Sequence, residues 1–191
     1  PAVAQDDWLI FSDEQGVGQA LAEKLTTAGH SVTLVRRGDT FQQDSDRHFR
    51  LNPDRAGDYR RLLDTVATSH TNSPLQTILH LWSLDAPAMS DQLTDDQLAA
   101  AAHLGAQSAL LLAQAALAQP EMASTLWLVT QGAQPIESIS NPLQVPLWGL
   151  GRVLALEHPE QYGGLIDLDS EADPAQNATH LWRELHQTDG E

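Results

Sequence analysis

The feature that most constrains the fold of this sequence is a regular alternation of short apolar runs with longer amphipathic segments. The apolar run at 8–11 is followed by apolar residues at 17, 20, 21 and 25, and then by the β-branched run at 32–35. This order predicts a strand, a helix and a second strand within about 30 residues. Strands connected in this way pair in parallel, so the segment predicts a β-α-β unit.

The same alternation continues to the end of the sequence. Apolar runs predict further strands at 48–51, 77–82, 126–130 and 164–168, with the first of these at a sheet edge. Helical periodicity predicts helices at 56–69, 98–118, 147–157 and 174–186, and Thr94 with Gln97 forms a capping box before the Ala-rich second one. We therefore expect residues 1–191 to form one α/β subdomain, Rossmann-like, with a mostly parallel sheet and helices on both faces.

The composition excludes several classes of function. The chain has 26 acidic residues against ten basic ones and a formal charge of −16, a balance that disfavours binding to nucleic acid or to anionic membranes. The absence of Cys excludes disulfides and thiolate chemistry. The segment 98–118 is apolar but contains His103, Gln107 and Ser108, so we expect a packed helix and not a membrane span. We expect a cytoplasmic protein.

The first strand-to-helix turn is where a Rossmann fold binds the pyrophosphate of a dinucleotide. Here the turn is Ser12 to Gly18, which keeps Gly16 and Gly18 of the short-chain reductase pattern but lacks its Thr and first Gly. Asp13 and Glu14 lie where the phosphates would bind, and their charge opposes binding. The plain interpretation is a turn whose glycines only pack the helix on the strand.

An alternative is a freestanding NADP-dependent oxidoreductase of the short-chain reductase type. Gly16 and Gly18 would bind the pyrophosphate, and Arg36 and Arg37, at the end of the second strand, would bind the 2′-phosphate. Reduction in that class also needs a Tyr with a Lys four residues later. Lys24 is the only Lys, and Leu63 and Ile166 follow the two tyrosines at that spacing, so the sequence cannot supply this pair.

Two other patterns have both a functional and a structural interpretation. His180 and Glu184 are spaced to share a metal on one helix face, although no His pair has such spacing and no acidic loop accompanies them, so we predict no metal site. Asp167 and Asp169 share one face of a strand, which suits either a functional pair or an ordinary polar strand exit.

The helix at 147–157 has more apolar residues than packing against one sheet face requires. A partner domain on its second face would account for the excess. We therefore predict an interface that includes Leu147, Trp148, Leu150, Val153 and Leu154.

Four segments resemble the N-terminal, structural half of the ketoreductase domain of modular type I polyketide synthases. They are His80 to Asp85, taken as a strand, Leu126 to Ala133, Pro146 to Glu160 and Gly163 to Asp169, of which the third is long and specific. The resemblance implies a truncated Rossmann-like fold that binds no cofactor and supports a catalytic half. That second half holds NADPH and the residues that reduce a β-ketoacyl group on an acyl carrier protein.

The resemblance also implies the partners of this chain. They are the catalytic half of the ketoreductase and the other domains of a polyketide synthase, so we expect residues 1–191 to be part of a longer polypeptide. A third interpretation, a module that binds a carrier protein, is disfavoured by the acidic composition, because carrier proteins are usually acidic as well.

Overall fold

The chain forms one seven-stranded sheet in the computed structural model, which describes residues 6–69, 75–87, 93–134 and 141–186. The strand order is β3-β4-β2-β1-β5-β6-β7, and every neighbouring pair is parallel except β3 with β4. This confirms the predicted mostly parallel, doubly wound sheet. The strands are β1 Asp7–Phe11, β2 Ser31–Arg37, β3 Gln42–Ser45, β4 His48–Leu51, β5 Leu75–His80, β6 Thr125–Gln131 and β7 Tyr162–Leu168.

Helices cover both faces of the sheet, as the sequence predicts. Their bounds are α1 Val17–Thr27, α2 Ala56–Ser69, α3 Asp95–Ala102, α4 Ser108–Leu117, α5 Val145–Glu157 and α6 Pro174–His186. Buried residues of α2, α4 and α5 form one apolar cluster with the sheet, and buried residues of α1 and α6 form the other. The two clusters are separated by the sheet, so each helix group has its own face.

The central strand β1 shows why the sheet is buried on both sides. All five of its residues are buried, and their side chains alternate between the two faces. Leu9 and Phe11 belong to the cluster under α2, α4 and α5, whereas Trp8 and Ile10 belong to the cluster under α1 and α6. A continuous apolar run is what a central parallel strand requires.

The long Ala-rich helix is built from α3 and α4, joined by a π-helical turn at His103–Gln107. The capping box is present, since the Thr94 side chain accepts from the Gln97 backbone and the Gln97 side chain accepts from the Thr94 backbone. By length and composition alone the helix Asp95–Leu117 could cross a membrane. In the fold, α4 packs against α2 and buries Ala109 and Leu112, as the prediction of a packed helix requires.

Three details of the strand prediction were wrong. The strand β3 was missed because its residues, Gln42–Ser45, are polar and all exposed, so no apolar alternation marks them. In the structure β3 lies at the sheet edge, and β4, which was predicted at the edge, lies one position inside it. The strand β5 ends at His80, earlier than predicted, and Trp82–Asp85 forms a 3-10 turn. The sequence stays apolar beyond the strand because this turn is also buried.

The connection between β2 and β4 explains why the fold is a truncated one. These strands are parallel, yet residues 38–47 between them contain only β3 and no helix. A helix usually makes such a crossover. Without it, an open groove of about 860 Å³ lies beside Leu34 and His48, on the side of the sheet that α1 covers further along.

Two leucines provide a matched test of this packing. Leu128 in β6 is fully buried, and its replacement by Ala is expected to lower the free energy of unfolding by roughly 2–5 kcal/mol. Leu156 in α5 is 84% exposed, and its replacement by Ala should change that free energy by less than about 0.5 kcal/mol. Chemical denaturation measures both, and equal losses would contradict the assignment of the α5 outer face.

Candidate functional site

The turn between β1 and α1 lies at the carboxyl end of the sheet, where the strand order reverses. The chain leaves β1 between β2 and β5: the Ser12 N–H donates to the Val35 carbonyl at 2.9 Å, and the Leu81 N–H donates to the Phe11 carbonyl at 3.0 Å. In open α/β sheets this crevice is the usual ligand site. It is therefore the first candidate site in this fold.

The carboxylate of Asp13 accepts hydrogen bonds from the backbone N–H groups at the start of α1. Its Oδ2 accepts from Gly16 at 2.8 Å and from Val17 at 3.0 Å, and its Oδ1 accepts from Gly18 at 2.7 Å. The first N–H groups of a helix have no partner within the helix, and they are the groups that bind a phosphate in a Rossmann turn. Asp13, itself buried, already satisfies three of them.

The two glycines of the turn are required for different structural reasons. Gly16 has φ of 103°, a left-handed conformation that favours Gly. Gly18 has ordinary dihedrals, but a Cβ there would lie 2.7 Å from the Ser12 Oγ and 2.9 Å from the Leu81 Cδ1. Gly18 therefore lets α1 approach the end of β1, which is the plain interpretation of these glycines.

On the outer side of the turn, the carboxylates of Glu14 and Asp85 both pair with Arg37. Arg37 Nη2 lies 2.8 Å from Glu14 Oε1 and 3.0 Å from Asp85 Oδ2, and the Glu14 N–H donates to Asp85 Oδ1 at 2.9 Å. The Asp85 side chain is 6% exposed. Its burial raises the pKa of that carboxyl to about 6, against the opposing effects of the Glu14 N–H and of Arg37.

Asp85 is the residue of this site that the sequence analysis missed as a functional or structural partner. It lies 71 residues after Glu14 in the chain, at the end of the 3-10 turn that follows β5. Only the pairing of β1 with β5 brings the two together. A single Asp after an apolar run gives no sequence signal for such a partner.

Arg36 and Arg37 occupy different surroundings although they are adjacent. Arg37 is held by Glu14 and Asp85, whereas Arg36 is exposed on the other side of β2. The only partner of Arg36 among the described side chains is Gln19, whose Oε1 is 3.4 Å from Nη2. Arg37 is therefore already paired with carboxylates of this chain. Of the two arginines, only Arg36 is available to a ligand in the groove beside β2 and β4.

The residues at this turn do not fit a dinucleotide. Three N–H groups that would bind the pyrophosphate are bonded to Asp13, and the carboxylates of Asp13 and Glu14 give the site a negative charge. A second anion there would also lose the hydrogen bonds on which such sites depend. The arrangement instead joins β1, α1, β2 and the end of β5 into one bonded unit.

The two tyrosines and the lysine are separated in the fold. Tyr59, on α2, is fully buried, its hydroxyl donates to the Pro53 carbonyl at 2.9 Å, and burial raises its pKa. Tyr162 packs against the same apolar cluster, and burial raises its pKa as well. Lys24 is exposed on α1, which covers the opposite face of the sheet. No Tyr therefore lies beside the Lys.

The apolar residues of α5 divide between the interior and the surface. Leu147 and Leu154 are buried in this chain's own core. Their helical spacing directs them to the sheet. Trp148 and Leu150 are half-buried, and the Trp148 indole N–H donates to Thr130 Oγ1 at 3.0 Å. Val153 is 47% exposed, and the interface that includes these five residues remains a prediction.

Asp167 has a structural role at the end of β6. Its Oδ1 accepts from Thr130 Oγ1 at 2.7 Å and from the Ala133 N–H at 3.0 Å, and its Oδ2 accepts from the Gln134 N–H at 2.8 Å. Asp169 instead accepts from the Glu171 N–H at 2.9 Å. The two carboxylates thus bind different loops and do not form a pair.

The described part of the chain has no group of three His, Asp or Glu side chains placed to bind a metal ion. His180 and Glu184 lie exposed on α6. The prediction that no metal is bound remains a prediction.

Comparison with known families decides what kind of domain this is. Residues 49–189 match the family model described as the Rossmann fold domain of the polyketide synthase extender module SpnB. The chain belongs to this family. It is a polyketide synthase, ketoreductase-like Rossmann subdomain, as the resemblance in its sequence implies.

Curated relatives of this subdomain are much larger proteins. The polyketide synthase GfsA of Streptomyces halstedii is 33% identical over 195 residues, which cover 100% of this chain and 2% of GfsA. The pikromycin polyketide synthase component PikAII of Streptomyces venezuelae is 49% identical over 74 residues, or 37% of this chain and 2% of that protein. This subdomain thus spans a small fraction of the multidomain proteins that it matches.

Solved structures share the fold of the subdomain at low sequence identity. One is a multidomain structure with the adenylation, ketoreductase and pseudo Asub domains of a keto acid-selecting NRPS module. Its TM-score is 0.81 at 24% sequence identity, and the match covers 100% of this chain and 16% of the chain of that structure. An N-terminal ketoreductase from the macrolactin assembly line has a TM-score of 0.74 and 16% identity, with 98% and 38% covered. The NADH-dependent reductase A1-R′ complexed with NAD has a TM-score of 0.66 and 12% identity, with 93% and 87% covered.

Replacement of Asp13 by Ala tests the bonded turn. Loss of a side chain that satisfies three N–H groups at a helix start is expected to lower the free energy of unfolding by roughly 2 kcal/mol. Asp39→Ala is the matched control, since Asp39 is an exposed carboxylate in a loop, and its effect should stay within about 0.5 kcal/mol. Chemical denaturation would contradict the role of Asp13 if the two variants lost the same amount.

Asp85 predicts a pH dependence of stability. Its pKa of about 6 in the fold is above the unfolded value of about 3.9, so the folded chain holds more protons between these pH values. The stability of the wild-type chain relative to Asp85→Asn should therefore fall by up to about 3 kcal/mol as the pH rises from 4 to 7. Denaturation of both chains at the two pH values measures it; a relative stability that rises with pH would contradict this account.

Proposed function

We propose that this subdomain is the non-catalytic, structural half of a polyketide synthase ketoreductase. It supports an adjacent half that reduces β-ketoacyl groups on an acyl carrier protein with NADPH, and it binds no cofactor itself. The observation that carries the proposal is the closed turn, in which Asp13 accepts from Gly16, Val17 and Gly18. A Rossmann fold in which an internal carboxylate takes the phosphate-binding N–H groups keeps the architecture of a reductase without its cofactor site.

Electrostatics supports the same conclusion. A phosphate at 4 Å from the Asp13 carboxylate would be repelled by about 4 kcal/mol per unit charge at the effective dielectric of a protein surface. Glu14 adds a second negative charge, and Arg37 is already paired with Glu14 and Asp85. The separation of Tyr59, Tyr162 and Lys24 across the sheet supports the absence of a proton relay in this half.

The surface of the subdomain supports a partner on one face of the sheet. Its five exposed large apolar residues within the described ranges all lie on the helices of one face: Leu98 on α3, Leu110 on α4, and Val145, Val153 and Leu156 on α5. The helices of the opposite face, α1 and α6, expose none. The concentration of these residues on one face, with none on the other, favours a partner on that face. We assign it to the catalytic half of the ketoreductase.

The wider setting follows from the relatives. They are multidomain polyketide synthases, so the partners of this subdomain are other domains of such an assembly. We propose that the catalytic half is the domain in direct contact. We place the assembly in the cytoplasm. The alternative of a freestanding NADP-dependent oxidoreductase would rest on Gly16, Gly18, Arg36 and Arg37, and the pairing of Arg37 and the bonds of Asp13 weigh against it.

Replacement of Leu156 by Glu tests the assigned partner face. In the native polypeptide that contains this subdomain, the added charge is expected to lower the NADPH-dependent reduction of a β-ketoacyl thioester by tenfold or more, because Leu156, which is 84% exposed on this subdomain, would lie in the proposed contact with the catalytic half. Ala175→Glu on α6 is the matched control, since Ala175 is exposed on the other face, and it should retain the wild-type rate. Equal rates in both variants would contradict the assignment.

Replacement of Arg36 by Ala separates the proposal from its alternative. Arg36 is exposed and is the only free cation of the two at the turn, so an NADP site in this subdomain would depend on it. We expect the KM for NADPH of the native polypeptide to stay within twofold of the wild-type value. An increase of tenfold or more would support dinucleotide binding by this chain.

A further inference from the structure

The helix α5 contains two glycines, and the packing of this chain accounts for only one of them. A Cβ at Gly151 would lie 2.7 Å from Tyr162 Oη and 2.9 Å from Leu165 Cδ1, so Gly151 lets the helix approach β7. A Cβ at Gly149 would meet no atom of the described residues within 4 Å. Gly149 also has no positive φ. Neither a close contact with the described residues nor backbone geometry therefore requires a glycine at position 149.

A glycine at this position weakens the helix that contains it. Glycine inside a helix is less favourable than alanine, because its backbone loses more conformational freedom on folding. Gly149 is exposed and is the fifth residue of α5, Val145–Glu157. Alanine would fit there without contact to any described atom. A close approach by a partner would give the glycine a function, since such approaches are a common use of this residue.

Gly149 lies within an apolar stripe on the outer side of α5. Val145, Gly149, Val153 and Leu156 follow one another at intervals of four, four and three residues, which places them on one helix face. All four are exposed, and Leu156 most of all, at 84%. The buried residues of α5 lie on the opposite side. We call these four residues the outer stripe of α5.

The outer stripe has the shape that accepts a second helix. Side chains four residues apart form a ridge on a helix, and a partner helix places its own ridge in the spaces between side chains. Val145 and Val153 are the two ends of such a ridge, and Gly149 leaves a gap between them. From Val145 to Leu156 the stripe extends about 16 Å along the helix axis. A strand would need unpaired backbone groups to bond with, and the middle of a helix offers none.

Hydrogen bonds at the start of α5 hold the outer stripe in a fixed orientation. The Trp148 indole N–H donates to Thr130 Oγ1 at 3.0 Å, and the Thr130 hydroxyl donates to Asp167 Oδ1 at 2.7 Å. Just before the helix, Gln144 Oε1 accepts from the Gln131 N–H at 2.9 Å. A surface that is ordered before association loses less conformational freedom when it binds.

We propose that an apolar helix of the catalytic half crosses α5 at Gly149, with one of its large apolar side chains in the gap between Val145 and Val153. This inference rests on the proposed function, and it adds the secondary structure of the partner and the point of closest contact. The outer stripe lies on the same face of the sheet as the exposed Leu98 and Leu110. The multidomain relatives, of which this chain matches 2%, favour a partner from the same polypeptide.

Substitution of Gly149 is expected to have opposite effects on folding and on activity. Gly149→Ala should raise the midpoint of chemical denaturation of the chain, because alanine favours the helix and its Cβ has space. In the native polypeptide, the same change should lower the NADPH-dependent reduction of a β-ketoacyl thioester roughly threefold, and Gly149→Leu roughly tenfold, because the added atoms occupy the contact. A glycine needed only for the fold of this chain would not produce this opposite response.

Gly57 on α2 provides the matched control. It is an exposed helical glycine, and a Cβ there would also meet no described atom within 4 Å. Gly57→Ala and Gly57→Leu should keep the reduction rate within about twofold of the wild type. Equal losses at the two glycines, or an unchanged rate in Gly149→Leu, would overturn the crossing. If Leu156→Glu lowers the rate and Gly149→Leu does not, only the crossing is wrong; if neither does, the partner face itself is wrong.

Photo-crosslinking in the native polypeptide identifies the partner. Benzoylphenylalanine in place of Val153, which is 47% exposed on the outer stripe, is irradiated, and the crosslinked peptides are mapped by mass spectrometry. The expected crosslink joins α5 to a helix of the catalytic half. Benzoylphenylalanine in place of the exposed Ala175 on α6 is the control and should not give this product. A crosslink to a second copy of the chain, to another domain or to a non-helical segment would overturn the proposal.

Discussion

The turn between β1 and α1 depends on one carboxylate. Asp13 accepts from Gly16, Val17 and Gly18, and so fixes the start of the helix against the central strand of the sheet. In a cofactor-binding Rossmann fold the same N–H groups await an external anion. Here the carboxylate of Asp13, a residue of the chain itself, accepts from them. Glu14, Arg37 and Asp85 extend this bonding to the ends of β2 and β5.

The sequence predicts the architecture well because the apolar runs and helical periodicity report burial directly. The helices 56–69 and 174–186 are found at their predicted bounds, and the capping box at Thr94 starts α3 as expected. The strand β3 could not be predicted, because it is polar and pairs only at an edge. The end of β5 was placed too late because burial continues into a turn of different geometry.

The site is less accessible to sequence reasoning than the fold. The missing Gly and the acidic residues of the turn indicate that phosphate binding is disfavoured. They do not indicate that the Asp13 carboxylate accepts hydrogen bonds from the backbone N–H groups. That depends on the backbone dihedrals at Gly16 and on the close approach at Gly18. The division of α5 between core and surface depends on which residues of an all-apolar helix face the sheet, which composition alone does not specify.

The central claim is that Asp13 holds the backbone N–H groups at the start of α1, and amide NMR of the isotopically labelled chain tests it most directly. At NADPH concentrations up to the millimolar range, the account predicts that the amide resonances of Gly16, Val17 and Gly18 keep their positions, because Asp13 holds these three N–H groups. Saturable shifts of these resonances on addition of NADPH, at a concentration that leaves the exposed Asp39 amide unchanged, would contradict it.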